Sequence, residues 1–189
     1  KNRSEAHSWS GTYHHKMASD PETDYLNLSG TSGVVDDSTI WNDTAPTSTV
    51  FTVGTASNTG SSDNFVGYFF RGISGYSKFG SYIGNGSADG PYVHLGFRPA
   101  WLMVKEASAS GEDWMMWDNK RATHNEVFSH LYANTADDEQ GTSGGSTRKI
   151  DFLSNGFKTT VSHDSTNTSG NTYIYMAFAE MPEKYSNAR

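Results

Sequence analysis

The feature that most constrains the fold is a series of short apolar runs separated by loops rich in small polar residues. Ser, Thr, Gly and Asn together make up 76 of the 189 residues, and they collect between these runs. Runs of this length are typical of strands, because an amphipathic helix needs a longer stripe with spacings of three and four residues. The pattern therefore predicts an all-β protein. The predicted strands are 91–97, 100–105, 113–118, 150–153, 157–161 and 173–179.

Composition excludes several other classes of protein. An apolar content of 34% points towards disorder, but 13% of the residues are aromatic, and disordered chains are poor in aromatics. A net charge of −7 with only 14 Lys and Arg argues against a nucleic-acid partner. Without Cys there is no disulfide framework and no thiolate zinc site. No apolar run approaches the roughly 18 residues that membrane insertion needs.

The run Tyr173–Ala179 is apolar on both faces, so both of its faces must be covered. One face can fill a core, and the other requires a neighbouring domain, a subunit or a covering loop. A turn is expected at Ser154–Gly156, and 157–161 and 173–179 are expected to form a hairpin with a long polar loop. The helical pattern is weak, and 119–133 is expected to form at most a turn or two.

A degenerate repeat divides the chain in two. Trp9 lies 105 positions before Trp114, and Phe65 lies 108 positions before Tyr173, with similar residues in the same order between them. The repeat predicts two related β-sandwich units of jelly-roll or lectin-like type. Residues 1–72 would be the C-terminal part of a first unit that is incomplete at its N-terminus, and 73–189 a second, complete unit. We accordingly expect either an upstream segment before residue 1 or completion by a strand from another copy.

Five segments of the chain resemble recurrent segments of tailed-phage virion proteins. They cover much of the chain and include specific motifs such as the run Gly96–Trp101. The segments are Ile40–Phe51, Gly75–Pro91, Gly96–Trp101, Ile150–Lys158 and Tyr173–Glu180.

The family resembled is a tail-fibre-like family, common in marine phages, that carries a repeated domain of unassigned function. The resemblance implies a structural protein of the virion tail or fibre, located outside the cell and in contact with other virion proteins. It supplies no catalytic residue and no cofactor. Analogy with phage fibres suggests a homotrimer, and the two-faced apolar strands independently favour a homo-oligomer.

Metal and catalytic sites have weak signals. On a strand, the neighbouring side chains of His14 and His15 would point to opposite faces and could not readily share an ion. Acidic residues cluster at Asp36–Asp37, Glu112–Asp113 and 137–139, but a glycosidase needs two carboxyls facing each other across a cleft. Calcium is a weaker possibility, because no EF-hand-type loop is present. We therefore expect no catalytic residues and no metal ligands.

One cluster has the composition of a sugar site, which pairs an aromatic face with polar groups for hydroxyls. The candidate ligand-binding residues are Trp117, Asp118, Asn119, Arg121 and Asn125. The alternative is that Trp117 belongs to the core and that Arg121 merely pairs with Asp118. The expected function is non-enzymatic adhesion to a host surface or receptor, with a host surface glycan as the candidate partner. A glycan-degrading depolymerase and a capsid decoration protein remain alternatives.

Overall fold

The computed structural model describes residues 1–7, 9, 11–60, 62–141 and 147–180, and these residues form ten strands and two short helices. The all-β prediction is confirmed. The elements are β1 (Asp24–Tyr25), β2 (Val35–Asp36), α1 (Ser38–Trp41), β3 (Ser77–Ile83), β4 (Tyr92–His94), β5 (Pro99–Glu106), β6 (Met115–Asp118), β7 (His130–Tyr132), β8 (Ile150–Leu153), β9 (Gly156–Thr159), α2 (Asp164–Asn167) and β10 (Thr172–Ala179).

The larger sheet has five antiparallel strands in the order β3-β10-β5-β6-β7. Its central strand is β5, and β10 is the internal strand beside it, which pairs with β3 along one edge and with β5 along the other. The apolar run Tyr173–Ala179 makes this internal position favourable, because a strand with two apolar faces is most stable where both are covered. The strand β3 was not predicted from the sequence, because its Ser, Lys and Gly residues interrupt the apolar pattern.

A second sheet, which we call the smaller sheet, has three antiparallel strands in the order β4-β9-β8, and β1 and β2 form a separate two-stranded sheet. The turn expected at Ser154–Gly156 joins β8 to β9, and Phe152 lies opposite Phe157 in this hairpin. Buried side chains of both sheets form one apolar core. Its largest fully buried members are Trp117, Tyr173, Phe152, Phe157, Leu102, Met115 and Ile150.

The predicted hairpin between 157–161 and 173–179 is wrong. The strand β9 pairs with β4 and β8, whereas β10 belongs to the other sheet. The polar loop between them contains α2, whose carbonyl groups are satisfied by two core tyrosines. Tyr82 Oη donates to Thr166 O at 2.8 Å, and Tyr173 Oη donates to Asp164 O at 2.6 Å. The loop therefore crosses from one sheet to the other instead of turning back along the same sheet.

The described residues before β3, which we call the N-terminal region, cover part of the outer face of the larger sheet. The outer face is the one turned away from the smaller sheet. Met17 and Leu26 are buried against Trp114 and Ile174, which project from that face. Hydrogen bonds fix this contact: Val34 N donates to Ala107 O at 2.8 Å, for example. The second cover that the two-faced strands require is thus supplied in part by the same chain.

Residues before β3 contain little regular structure apart from β1, β2 and α1. The repeat predicts that 65–70 matches β10, but the structure has only an isolated bridge between Asn2 and Phe65 there. The prediction of a strand at 65–70, which follows from the repeat, is therefore wrong, because the segment has no neighbouring strand to pair with among the described residues. The stretch 119–133, for which at most a turn or two of helix was expected, is described throughout and contains β7 and no helix. The division into two sandwich units stays a prediction.

Candidate functional site

Trp117 does not offer a face to a sugar. The side chain projects from β6 into the core and is 0% exposed. Its indole N–H donates to Arg148 O at 3.3 Å, so its polar atom is also occupied. The predicted role of Trp117 as a stacking platform is wrong, because alternation along β6 directs its ring into the core.

Asp118 and Arg121 form a surface ion-pair network that shapes the turn after β6. Arg121 Nε lies 2.7 Å from Asp118 Oδ2, and Arg121 Nη1 lies 2.7 Å from Glu139 Oε2. The hydrogen bond with Glu139 is the main cause that raises the pKa of Arg121. Asp118 Oδ1 also accepts hydrogen bonds from the backbone N–H groups of Lys120 and Arg121. Both side chains are therefore engaged with the protein itself.

The two asparagines of the predicted site have structural contacts. The side chain of Asn125 makes the two backbone hydrogen bonds that a neighbouring strand would make. Its Nδ2 donates to Phe152 O at 3.1 Å, and its Oδ1 accepts from Phe152 N at 3.0 Å. Asn119 is buried, and its backbone N–H donates to Ala100 O. A binding role for Asp118, Asn119, Arg121 and Asn125 stays a prediction, without the aromatic platform that motivated it.

The His14–His15 pair lies in a turn, not on a strand, and its rings stack with centroids 5.0 Å apart. Burial, helped by the neighbouring His15, lowers the pKa of His14 to about 4. Within the described ranges, no group of three His, Cys, Asp or Glu side chains is placed to hold a metal ion. The pair is therefore a neutral packing element.

The structure exposes an aromatic surface that sequence reasoning missed. We call it the aromatic strip, and it consists of Trp9, Phe51, Tyr68, Phe69 and Phe70. Tyr68, Phe69 and Phe70 are 65%, 68% and 58% exposed, the largest values among the exposed aromatic side chains. Phe51 packs on Phe69 at 4.6 Å, and Trp9 on Tyr68 at 5.9 Å.

The aromatic strip continues onto the outer face of the larger sheet. Phe70 lies 6.2 Å from Phe79 and 6.1 Å from Phe178, measured between ring centroids. Phe178 also contacts Trp101 and Tyr76. The end of this face near Ile174 is covered by the N-terminal region, and among the described residues the end near Phe178 packs against this group of rings.

An unpaired strand edge adjoins the same rings. Among the strands of the described residues, β3 pairs only with β10, so its other edge lacks a strand partner. Exposed strand edges and contiguous apolar patches are both features of surfaces that bind other chains. The sequence feature that could have indicated this surface is the run of three successive aromatic residues at 68–70. Such a run suits neither a strand with one solvent-exposed face nor a solvated loop.

A comparison with protein families matches residues 1–182 to a domain of unknown function, DUF7483. The chain belongs to the DUF7483 family. The DUF7483 match includes the aromatic strip and both sheets, so these features belong to one family domain. Searches of curated proteins and of solved structures found no match. Among its described helices, none is long and apolar enough to cross a membrane.

Proposed function

We propose that the chain is a non-enzymatic structural protein of a tailed-phage virion, a tail-fibre-like appendage that adheres to the host surface. The phage setting rests on the resemblance of the five sequence segments described above. The observation that carries the structural role is the aromatic strip. A hydrophilic chain that leaves Tyr68, Phe69 and Phe70 exposed loses free energy unless another surface covers them, at about 25 cal/mol per Å² of apolar area.

The proposed occupant of the strip in the virion is a further copy of the chain, assembled as a homotrimer. In the trimer, the aromatic strips of the three copies pack against one another around a symmetry axis. Closed symmetry is the usual arrangement of homo-oligomers. The trimer itself comes from analogy with phage fibres. Other virion proteins then bind the assembled appendage.

The local bonding of the acidic clusters supports a non-enzymatic role. Glu112 pairs with the Ser165 hydroxyl, and Asp113 accepts from Asn134 Nδ2 at 2.7 Å. Glu139 is held by Arg121. A glycosidase needs one carboxyl poised as an acid and another as a base or nucleophile. These carboxylates are instead bound to neighbouring side chains.

Light scattering after gel filtration tests the assembly. We expect a mass of three 20.7 kDa chains at micromolar concentration, and a monomer for the variant Tyr68→Ser/Phe69→Ser. The control is Tyr92→Ser, which removes an exposed aromatic from the smaller sheet and leaves the trimer intact. A monomeric wild type would contradict the trimer.

Two further measurements test the setting and the absence of catalysis. Antibody labelling of intact phage particles should place the chain on the tail, and labelling confined to the capsid would support decoration instead. Incubation with host surface polysaccharide should release no new reducing ends. Their appearance would establish a depolymerase.

A further inference from the structure

A cleft of about 400 Å³ opens to solvent in the N-terminal region. Its lining is predominantly polar, and the residues that matter here are Tyr25, Asn27, Asp37, Ile40 and Ser57. We infer that this cleft binds one uncharged hexose unit of a glycan. The inference deepens the adhesion role proposed above and rests on it for its biological setting. The cleft shares no residue with the predicted site around Trp117.

The walls of the cleft are fixed by backbone hydrogen bonds. Gly54 N donates to Ile40 O at 2.7 Å, and Ala56 N donates to Thr39 O at 3.0 Å, so the loop that carries Ser57 is held against α1. On the opposite side, Trp114 Nε1 donates to Asn27 O at 3.0 Å. A site whose walls are already ordered loses less entropy when a ligand binds.

Three side chains in the lining retain hydrogen-bonding capacity. Asn27 accepts from Ser29 N through Oδ1, which leaves its Nδ2 to donate. Asp37 accepts from Thr39 N and Thr39 Oγ1 through Oδ1, which leaves Oδ2 to accept. Among the described residues, the Tyr25 hydroxyl has no hydrogen-bond partner either. The cleft thus offers donors and acceptors close together, as vicinal hydroxyl groups require.

An apolar component lies beside these polar groups. Ile40 lines the cleft but is 2% exposed, so the apolar contact comes from the half-buried ring of Tyr25. A pyranose has C–H groups on one face and hydroxyl groups around its rim. The Tyr25 ring suits the C–H face, while Asn27 and Asp37 suit the rim. This division of apolar and directional contacts is common to small-molecule sites.

The charge of the cleft selects against other ligands. The hydrogen bonds from the side chain and backbone of Thr39 lower the pKa of Asp37, so this carboxyl is ionised at neutral pH. His7 lines the cleft, and its Nε2 lies 2.9 Å from Oε2 of the neighbouring Glu5. Phosphates and acidic sugars would meet these carboxylates in a chain of net charge −7. Uncharged sugars avoid this repulsion.

Saturation-transfer NMR with the full chain tests the inference. The probes are D-glucose, D-galactose, D-mannose and N-acetyl-D-glucosamine, with D-galacturonate as the anionic comparison. We expect at least one neutral sugar to bind and galacturonate not to bind. Tyr25→Phe removes only a hydroxyl, and we expect it to weaken binding about fivefold, the effect of one hydrogen bond. Tyr92→Phe is the matched control and should bind as the wild type does.

A second variant separates binding from folding. In Asp37→Ser the hydroxyl can still accept from Thr39 N and cap α1, while the second carboxylate oxygen and the charge are lost. We expect this variant to fold, as judged by circular dichroism, and to lose neutral-sugar binding. The inference is overturned if no neutral sugar binds, if both variants bind as the wild type does, or if galacturonate binds equally well.

A failure of the sugar-binding inference can be distinguished from a failure of the proposed appendage function. Tail labelling without sugar binding would leave the appendage role intact and remove the cleft from it. Sugar binding by a chain that is absent from phage particles would confirm the site and contradict the phage setting.

Discussion

Trp114 donates its indole N–H to the backbone carbonyl of Asn27 at 3.0 Å, and this bond joins residues 87 positions apart in the chain. The indole is 2% exposed and packs beside Leu26 and Met17. One residue thus links the outer face of the larger sheet both to the apolar contact of the N-terminal region and to a wall of the cleft.

Replacing Trp114 with Phe is expected to reduce the free energy of unfolding by about 1–3 kcal/mol. The change removes one buried hydrogen bond and leaves part of the indole volume empty. Urea denaturation followed by circular dichroism measures it. Tyr92→Phe, at a site 46% exposed and outside the aromatic strip, is the control and should change stability by less than about 0.5 kcal/mol. Equal effects at both sites would contradict the anchoring role of Trp114.

His14 is expected to make the protein less stable in acid. Its pKa is lowered to about 4 in the folded state by burial and by the charge of His15, from 6.5 in the unfolded chain. The unfolded state therefore binds more protons between these values, and stability falls as the pH drops from about 6.5 to about 4, by up to about 1.4 kcal/mol per pH unit.

The difference between wild type and His14→Gln isolates this effect. Burial raises the pKa of Asp24, Asp151 and Glu106, and these groups oppose the acid destabilisation in both proteins. Urea midpoints measured across the acid range should fall more steeply for the wild type than for the variant. Parallel curves would show that His14 is not buried in solution.

Lys105 is expected to limit stability. Its side chain is 0% exposed, its ammonium donates to Glu106 O at 2.8 Å and Thr31 O at 3.3 Å, and burial lowers its pKa. Lys105→Met removes the cost of burying a charge, so we expect the free energy of unfolding at neutral pH to be unchanged or higher. Thermal unfolding measures it, with Lys120→Met as the exposed control. A large loss of stability would show that the bond to Thr31 outweighs desolvation.

Asn125 is expected to contribute stability, not ligand contacts. Asn125→Ala removes both of its hydrogen bonds to Phe152 and should lower the free energy of unfolding by about 1–3 kcal/mol. The exposed Asn64→Ala serves as control. Chemical denaturation that shows no difference between the two variants would refute the structural role.

The extent to which sequence predicts this structure depends on the kind of pattern. Continuous apolar runs located β5, β6 and β10, because apolar residues on both faces leave a clear signal. The same signal could not say that Trp117 faces inwards, since both faces of its strand are apolar. Nor could it place Tyr68–Phe70, where three aromatics in a row predict burial and the structure leaves them exposed. The cleft is lined by residues of β1, α1 and a loop, which are separate in the sequence, so no local sequence pattern could predict it.

The position of β10 between β3 and β5 has a consequence for synthesis. Both of its neighbours, β3 and β5, are complete long before residue 179 leaves the ribosome, yet neither has its main partner until then. The larger sheet therefore cannot close before β10 has emerged from the ribosome. Pairing across so long a stretch of sequence is slow. During that interval the nascent chain presents two unpaired edges, which makes it a substrate for chaperones and vulnerable to aggregation when expressed rapidly.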